Sequence, residues 1–167
     1  MIIDSTVDPV LPLLKAVGKI ATGLFVLTAG SGEAASATLV SFVQQLSFEP
    51  LCIGVSLHNG RSIGPLIEEN RGFVINVCHA GDKNLLRRFA RHTLRGAEAF
   101  DGLATRRLDN GGVILLDACA YFWCDFSHKV DLQADHDLYI GIATLGDILG
   151  PDGAKPVVHI RHDGSRY

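Results

Sequence analysis

The residues with the clearest chemical potential lie in one stretch, Ser36 to Ser62, SATLVSFVQQLSFEPLCIGVSLHNGRS. Its last five residues, His58-Asn59-Gly60-Arg61-Ser62, join an Asn-Gly turn signal to a cation and a hydroxyl. A helix-like piece, Ile63 to Glu69, follows. A Ser N-cap, free backbone N–H groups and an adjacent Arg together suit a phosphate. Upstream, Leu39, Ser41, Val43 and Gln45 fall on one face of an extended chain, and Val40, Phe42 and Gln44 on the other. Such an uncharged strand of small, polar and apolar residues can lie against a flat, mostly apolar ligand while its backbone bonds the polar edge. The stretch predicts a site for a molecule with a flat body and a phosphate tail.

Other residues have both a bland and a chemical reading. His136 stands between Asp135 and Asp137 at the start of a strand. It is either a solvated turn histidine or a hydrogen-bond donor at a cleft, its charge favoured by the carboxylates. Lys83, Arg87, Arg88, Arg91 and Arg95 form a basic run, read as the solvated face of a helix or as a landing site for dinucleotide phosphates. Asn76, inside the apolar strand GFVINVC, needs hydrogen-bond partners if buried. His159 and His162 form the closest histidine pair, but positions three apart on a strand point to opposite faces, so no metal site is expected. There is no P-loop, no GxGxxG after a strand and no GxSxG elbow.

The elements that must position these residues are mostly strands. Asp8 to Gly18 reads as an amphipathic helix, Lys19 to Ala29 as a strand with Gly23 at a bulge, and Gly30 to Glu33 as a hairpin turn. Gly72 to Cys78 is a buried strand, and Gly81 to Ala90 a helix with Asp82 as its N-cap. His92 to Asp101 is irregular or weakly helical, Leu103 to Leu108 a short strand, and Asn110-Gly111-Gly112 a turn. Ala118 to His128 and His136 to Leu149 are long strands, the second with Gly141 at a bulge. Pro151-Asp152-Gly153 is a turn, and Val157 to Arg161 a last strand before a polar tail. Most of the connections are too short for parallel crossovers. Roughly seven strands and three short helices make a mainly β, antiparallel barrel with peripheral helices, or else a β-sandwich.

Bulk properties set the bounds. The 167 residues suit one domain, 1–167, with a sizeable core. Hydrophobic residues make up 47% of the chain, a surplus that predicts a buried subunit interface, most simply a homodimer, unless one large core absorbs it. A net charge of −3 offers no general attraction for nucleic acid. No apolar run reaches membrane-spanning length and no signal peptide is evident, so the expected location is the cytoplasm. The four cysteines, Cys52, Cys78, Cys119 and Cys124, form no CxxC pair and read as buried free thiols.

The segments LFVLT, SFVQQLSFEPL, VSLHNGRSI, GFVINV, NLLRRFA, ADHDLYIG and HIRHDGSRY, in this order from about Lys15 to Tyr167, resemble the flavin reductase-like group of FMN-binding split barrels. Within that group the chain resembles the flavin reductase domains at the C-terminus of cyanobacterial flavodiiron proteins, of which it would be a stand-alone version. The resemblance implies a six-stranded Greek-key barrel that dimerises, with one flavin per subunit near the interface. FMN is the expected cofactor, with FAD possible, and NAD(P)H the expected substrate. Ser41, Phe42, Val43 and Gln44 would line the isoalloxazine, largely through backbone groups, and Leu39 would belong to the same cofactor site. Ser56, Leu57, Arg61 and Ser62 would hold the ribityl phosphate, and Asn76 and Phe89 would border the flavin. His136 matches the histidine of a Gly-Asp-His segment beside the nicotinamide. Leu39-Val40-Ser41-Phe42 replaces a more hydroxylated run of the group, and Ala134 replaces its glycine. Three functions remain open on this reading. One is an NAD(P)H-dependent flavin reductase serving a partner oxygenase, dioxygen or another acceptor. The others are an FMN electron carrier of the flavoredoxin kind and a barrel for a different ligand.

Overall fold

In the computed structural model the described residues run from 10 to 165, except 82, 91, 92 and 151. The predicted N-cap Asp82, the cation Arg91, Pro151, the start of the first helix and the last two residues lie outside them. Four helices are described: α1 (Val10–Val17), α2 (Ile63–Glu69), α3 (Lys83–Phe89) and α4 (Gly96–Phe100). The strands are β1 (Thr22–Gly23), β2 (Phe25–Ala29), β3 (Ser36–Val40), β4 (Val43–Gln45), β5 (Cys52–His58), β6 (Gly72–Val77), β7 (Leu94–Arg95), β8 (Thr105–Arg107), β9 (Val113–Leu115), β10 (Ala120–Asp131), β11 (His136–Ile148) and β12 (Val158–His159).

Eight strands form one antiparallel sheet in the order β4-β5-β11-β10-β6-β2-β3-β7. β4 is at one end, β3 is next to the other, and only Ser41 and Phe42 separate them in the chain. The chain therefore closes the sheet on itself, with β3 and β4 sharing one position in a six-stranded barrel. β3 pairs with β2 (Phe25 opposite Val40), and β4 with β5 (Val43 opposite Val55). Ser56 N donates to Phe42 O at 2.9 Å and carries the second ladder up to the crossing. Closure removes the free edges that an open sheet would expose.

This crossing corrects the single strand expected through Leu39–Gln45. Val40 and Val43, an odd interval apart, both pack against the barrel core. A continuous strand would send them to opposite faces, so the exchange of partners at Ser41-Phe42 resets the alternation. Lys19–Ala29 similarly divides into β1 and β2, and Val157–Arg161 shortens to β12, which pairs with β1. Gly141 does face an irregularity, but the extra residue is Ser127 on β10. β7 and α4 fall in the stretch expected to be irregular or weakly helical, and β9 arises where no regular element was expected. Val113-Ile114-Leu115 is buried throughout, so it shows no alternation from which a strand could be read.

Leu27, Val55, Phe73, Ile75, Cys124 and Tyr139 fill the barrel. α2 closes one mouth with Ile63 and Ile67, both fully buried; each such side chain contributes about 1.5–3 kcal/mol by leaving water. Outside the barrel, Leu85 and Phe89 of α3 pack with Val26, Ala37 and Leu115. The β8–β9 hairpin covers Val74, Tyr121 and Trp123 through Ile114. No helix among the described residues is long and apolar enough to cross a membrane.

Candidate functional site

The turn after β5 is locked to the β10–β11 turn. Gly60 has φ +81°, a left-handed value that glycine adopts without strain. Asn59 Nδ2 donates to Ala134 O at 2.8 Å, and Asn59 N to Asp135 O at 2.9 Å. These bonds set His136 opposite His58 across β11 and β5, with ring centroids 5.3 Å apart and edge-on. His136 Nδ1 lies 2.8 Å from Asp135 Oδ1. An ionised carboxylate can only accept, so Nδ1 carries the hydrogen of this bond and Nε2 is left over for another partner. The same bond is the main reason the Asp135 carboxyl sits below the usual carboxylate range. His136 is thus no solvated turn residue: its side chain is 16% exposed, and Nε2 is buried with no partner.

The Phe42 ring lies 5.8 Å from the His136 ring, with the Arg161 guanidinium carbon 5.1 Å over its centroid. Arg161 is 7% exposed and Ser41 2%, and neither Arg161 Nε nor Ser41 Oγ has a hydrogen-bond partner. Unpartnered buried polar atoms are costly and uncommon in folded proteins. Three of them, on Ser41, His136 and Arg161, belong to residues in or against the Ser41-Phe42 crossing.

The cationic end is built from the start of α2 and the β3 edge. Arg61 Nη1 donates to the buried Thr38 hydroxyl at 2.6 Å, and Thr93 Oγ1 donates to the same oxygen at 3.3 Å. Arg95 Nη2 reaches Ser62 O at 3.4 Å. Ser62 occupies the cap position of α2, but its side chain makes no cap bond. Its backbone is helical (φ −65°, ψ −12°), whereas a capping serine is normally extended. A cleft of about 230 Å³ opens here between Leu57, Arg61, Ser62, Lys129, Asp137 and Tyr139.

Of the expected site residues, Ser41, Phe42 and His136 come together, and Leu57, Arg61 and Ser62 share the cleft. Ser56 ties β5 to Phe42 through its backbone. Val43 packs toward the barrel core, and Gln44 is exposed with its amide on Gln45 O. Leu39 and the buried Phe89 share the outer apolar cluster. Asn76 is spent on backbone: Nδ2 donates to Val26 O at 3.1 Å, and Oδ1 accepts from Leu115 N at 2.8 Å. Within the basic run, Arg88 binds the carbonyls of Glu98 and Ala99 and fastens α3 to α4, while Lys83 and Arg87 are exposed.

His58, Thr38 and Arg161 were missed. Arg161 had no local signal, because a strand alternating apolar and polar residues is read with its apolar side inward. Alternation through Val157–Arg161 places it with His159, opposite Val158 and Ile160, which are 70% and 58% exposed. The apolar residues face out and the cation faces in.

Residues 17–164 match the family model of the flavin reductase like domain. Diflavin flavoprotein A 1 of Synechocystis sp. is 34% identical over 156 residues, which are 93% of this chain and 27% of that protein. The chain thus spans about a quarter of the length of the curated relatives it matches. The NADH:FAD oxidoreductase of Streptomyces globisporus C-1027 superimposes with a TM-score of 0.79 at 18% identity, covering 100% of this chain and 97% of that one. The styrene monooxygenase flavin reductase of Pseudomonas putida S12 gives 0.74 at 22% identity, with 93% and 96% covered. At such identities the likeness shows a shared split-barrel fold.

Proposed function

The chain belongs to the flavin reductase like domain family, and on that premise we propose that it is an NAD(P)H-dependent flavin reductase. It would bind FMN, act as a homodimer in the cytoplasm and hand reduced flavin or electrons to a partner oxygenase or another acceptor. One observation carries this reading: the His136 imidazole is fixed beside Phe42 with a buried Nε2 that no protein group satisfies. The unpartnered Ser41 Oγ and Arg161 Nε beside the same crossing suit a flat ring with polar edges.

The backbone of Ser41, Phe42, Val43 and Gln44 would run along the ring. Arg61 and Ser62, with Ser56 and Leu57 behind them, would hold the phosphate end. A bound flavin supplies the acceptance of a hydride, two electrons and one proton, from the nicotinamide. The protein's task is to stack the two rings. With Nδ1–H committed to Asp135, His136 leaves Nε2 for a hydrogen bond with the carboxamide of a nicotinamide. No proton transfer by the imidazole is needed.

His136→Ala tests this. The variant should stay yellow, while anaerobic reduction by NAD(P)H, followed by stopped-flow absorbance, slows by roughly tenfold or more, as when an orienting contact is lost. Dithionite, which needs no docking site, should reduce both proteins equally. An unchanged NAD(P)H rate would remove His136 from the reaction. A colourless wild type that fails to take up FMN would remove the flavin reading. A second reading, an FMN electron carrier, is favoured by the relatives in which this domain is about a quarter of a longer flavoprotein. It predicts a yellow protein that NAD(P)H does not bleach.

A further inference from the structure

Arg161 is a buried cation in search of a counter-charge. It is 7% exposed, its Nε has no acceptor, and it forms no ion pair with a carboxylate of the described residues. A guanidinium stays charged at any working pH. Its contact with the Phe42 ring, 5.1 Å from the centroid, returns far less than the loss of hydration costs. The unpartnered, 2% exposed Ser41 hydroxyl belongs to the residue next to Phe42. Both residues offer N–H or O–H donors, and one of them carries a full positive charge. Such a seat fits an electron-rich, oxygen-bearing edge that becomes anionic.

Resting on the flavin reading above, we propose that Arg161 and Ser41 receive the pyrimidine edge of the flavin, and that Arg161 favours the reduced form over the oxidised one. A hydride brings two electrons and one proton, so its acceptor gains a net negative charge until a second proton is taken up. A fixed cation near that edge therefore binds the reduced form more tightly and raises the potential. The same cation destabilises the protein when no flavin is present.

The test uses the whole chain with FMN and with riboflavin. Arg161→Met should cut the ratio of reduced to oxidised affinity by tenfold or more, read as a midpoint potential about 30 mV more negative. The shift should be the same for both flavins, since both carry the pyrimidine edge. Arg161→Lys, which keeps the charge, should retain most of the preference. Flavin-free Arg161→Met should unfold at a higher temperature than flavin-free wild type, because an unpartnered buried charge has gone. Weaker FMN binding in both oxidation states, with riboflavin unaffected, would place Arg161 on the phosphate and overturn the proposal. An unmoved potential would overturn it too, whether it came with a lower melting temperature or with a changed oligomeric state. Failure of the wild type to bind any flavin would be seen before a variant is made, and would overturn the parent reading and this one together.

Discussion

At the scale of single residues, Arg61 holds two positions at once. Its Nη1 is committed to Thr38, a fully buried residue of β3, while the rest of its fork borders the cleft beside Ser62. Arg61→Ala should therefore show two effects. A charge-assisted hydrogen bond contributes about 1.5–3 kcal/mol, so FMN affinity should fall by roughly one to two orders of magnitude. Riboflavin, which lacks the phosphate, should bind nearly as before. Thr38 Oγ1 keeps the Thr93 hydroxyl as a donor, so the loss of folding stability should stay near about 1 kcal/mol. Titration of both flavins by fluorescence, with urea unfolding alongside, separates the effects; equal losses for the two flavins would show that Arg61 does not read the phosphate. Arg61 and His136 were legible in the sequence because each sits among turn residues whose local chemistry is strong. Arg161 and His58 were not. Their roles come from the packing of β12's extension against Phe42 and from the register of β5 on β11, both long-range facts that local pattern does not carry.

At the scale of elements, the site depends on how closely α2 seats in the barrel mouth. Gly64 shows the tolerance: a Cβ there would lie 2.3 Å from Tyr139 Oη, whose ring is held in the core at 6% exposure. The clash falls on the tip of a side chain that also lines the cleft, so Gly64→Ala must push the phenol toward that cleft or lift α2. Overpacking of this kind typically costs about 1–3 kcal/mol, measurable by urea unfolding. The displacement starts two residues from Ser62, so the Arg61–Thr38 bond should weaken as well, and FMN affinity should fall in parallel with stability. Loss of stability with FMN affinity intact would mean that α2 and the flavin site are independent. Gly72-Phe73-Val74-Ile75-Asn76 and the two long hairpin strands were legible, since β-branched and aromatic runs of that length have few alternatives. The Ser41-Phe42 crossing was not. Ser36 to Gln45 has strand character throughout, and the exchange of partners is set by barrel closure, a property of the whole sheet.

At the scale of the molecule, the barrel interior sets how stability responds to alkali. Cys124 is fully buried in the core with Phe73 and Tyr139. Burial, and secondarily the charge of Asp125, pushes its thiol from an ordinary 9.0 up to about 12. Burial also raises the Tyr139 phenol. For both groups the neutral form is the one the fold accepts. Above pH 9 the unfolded chain has released the Cys124 proton while the folded chain still holds it. Unfolding then releases a proton, so stability falls as pH rises. The contribution is fully present below pH 9 and is lost progressively up to about 12, at about 1.4 kcal/mol per pH unit for one thiol. Tyr139 adds in the same direction near the top of that window. Chemical unfolding from pH 8 to 11 should therefore show a falling alkaline limb. Cys124→Ala should start less stable at pH 8, because it leaves a small cavity. Its limb should nevertheless be shallower, so the gap to wild type narrows with each pH unit. The comparison of slopes is independent of the cavity cost, which does not vary with pH. Parallel limbs in the two proteins would show that Cys124 ionises no later in the folded chain than in the unfolded one, and that the core at this position admits water.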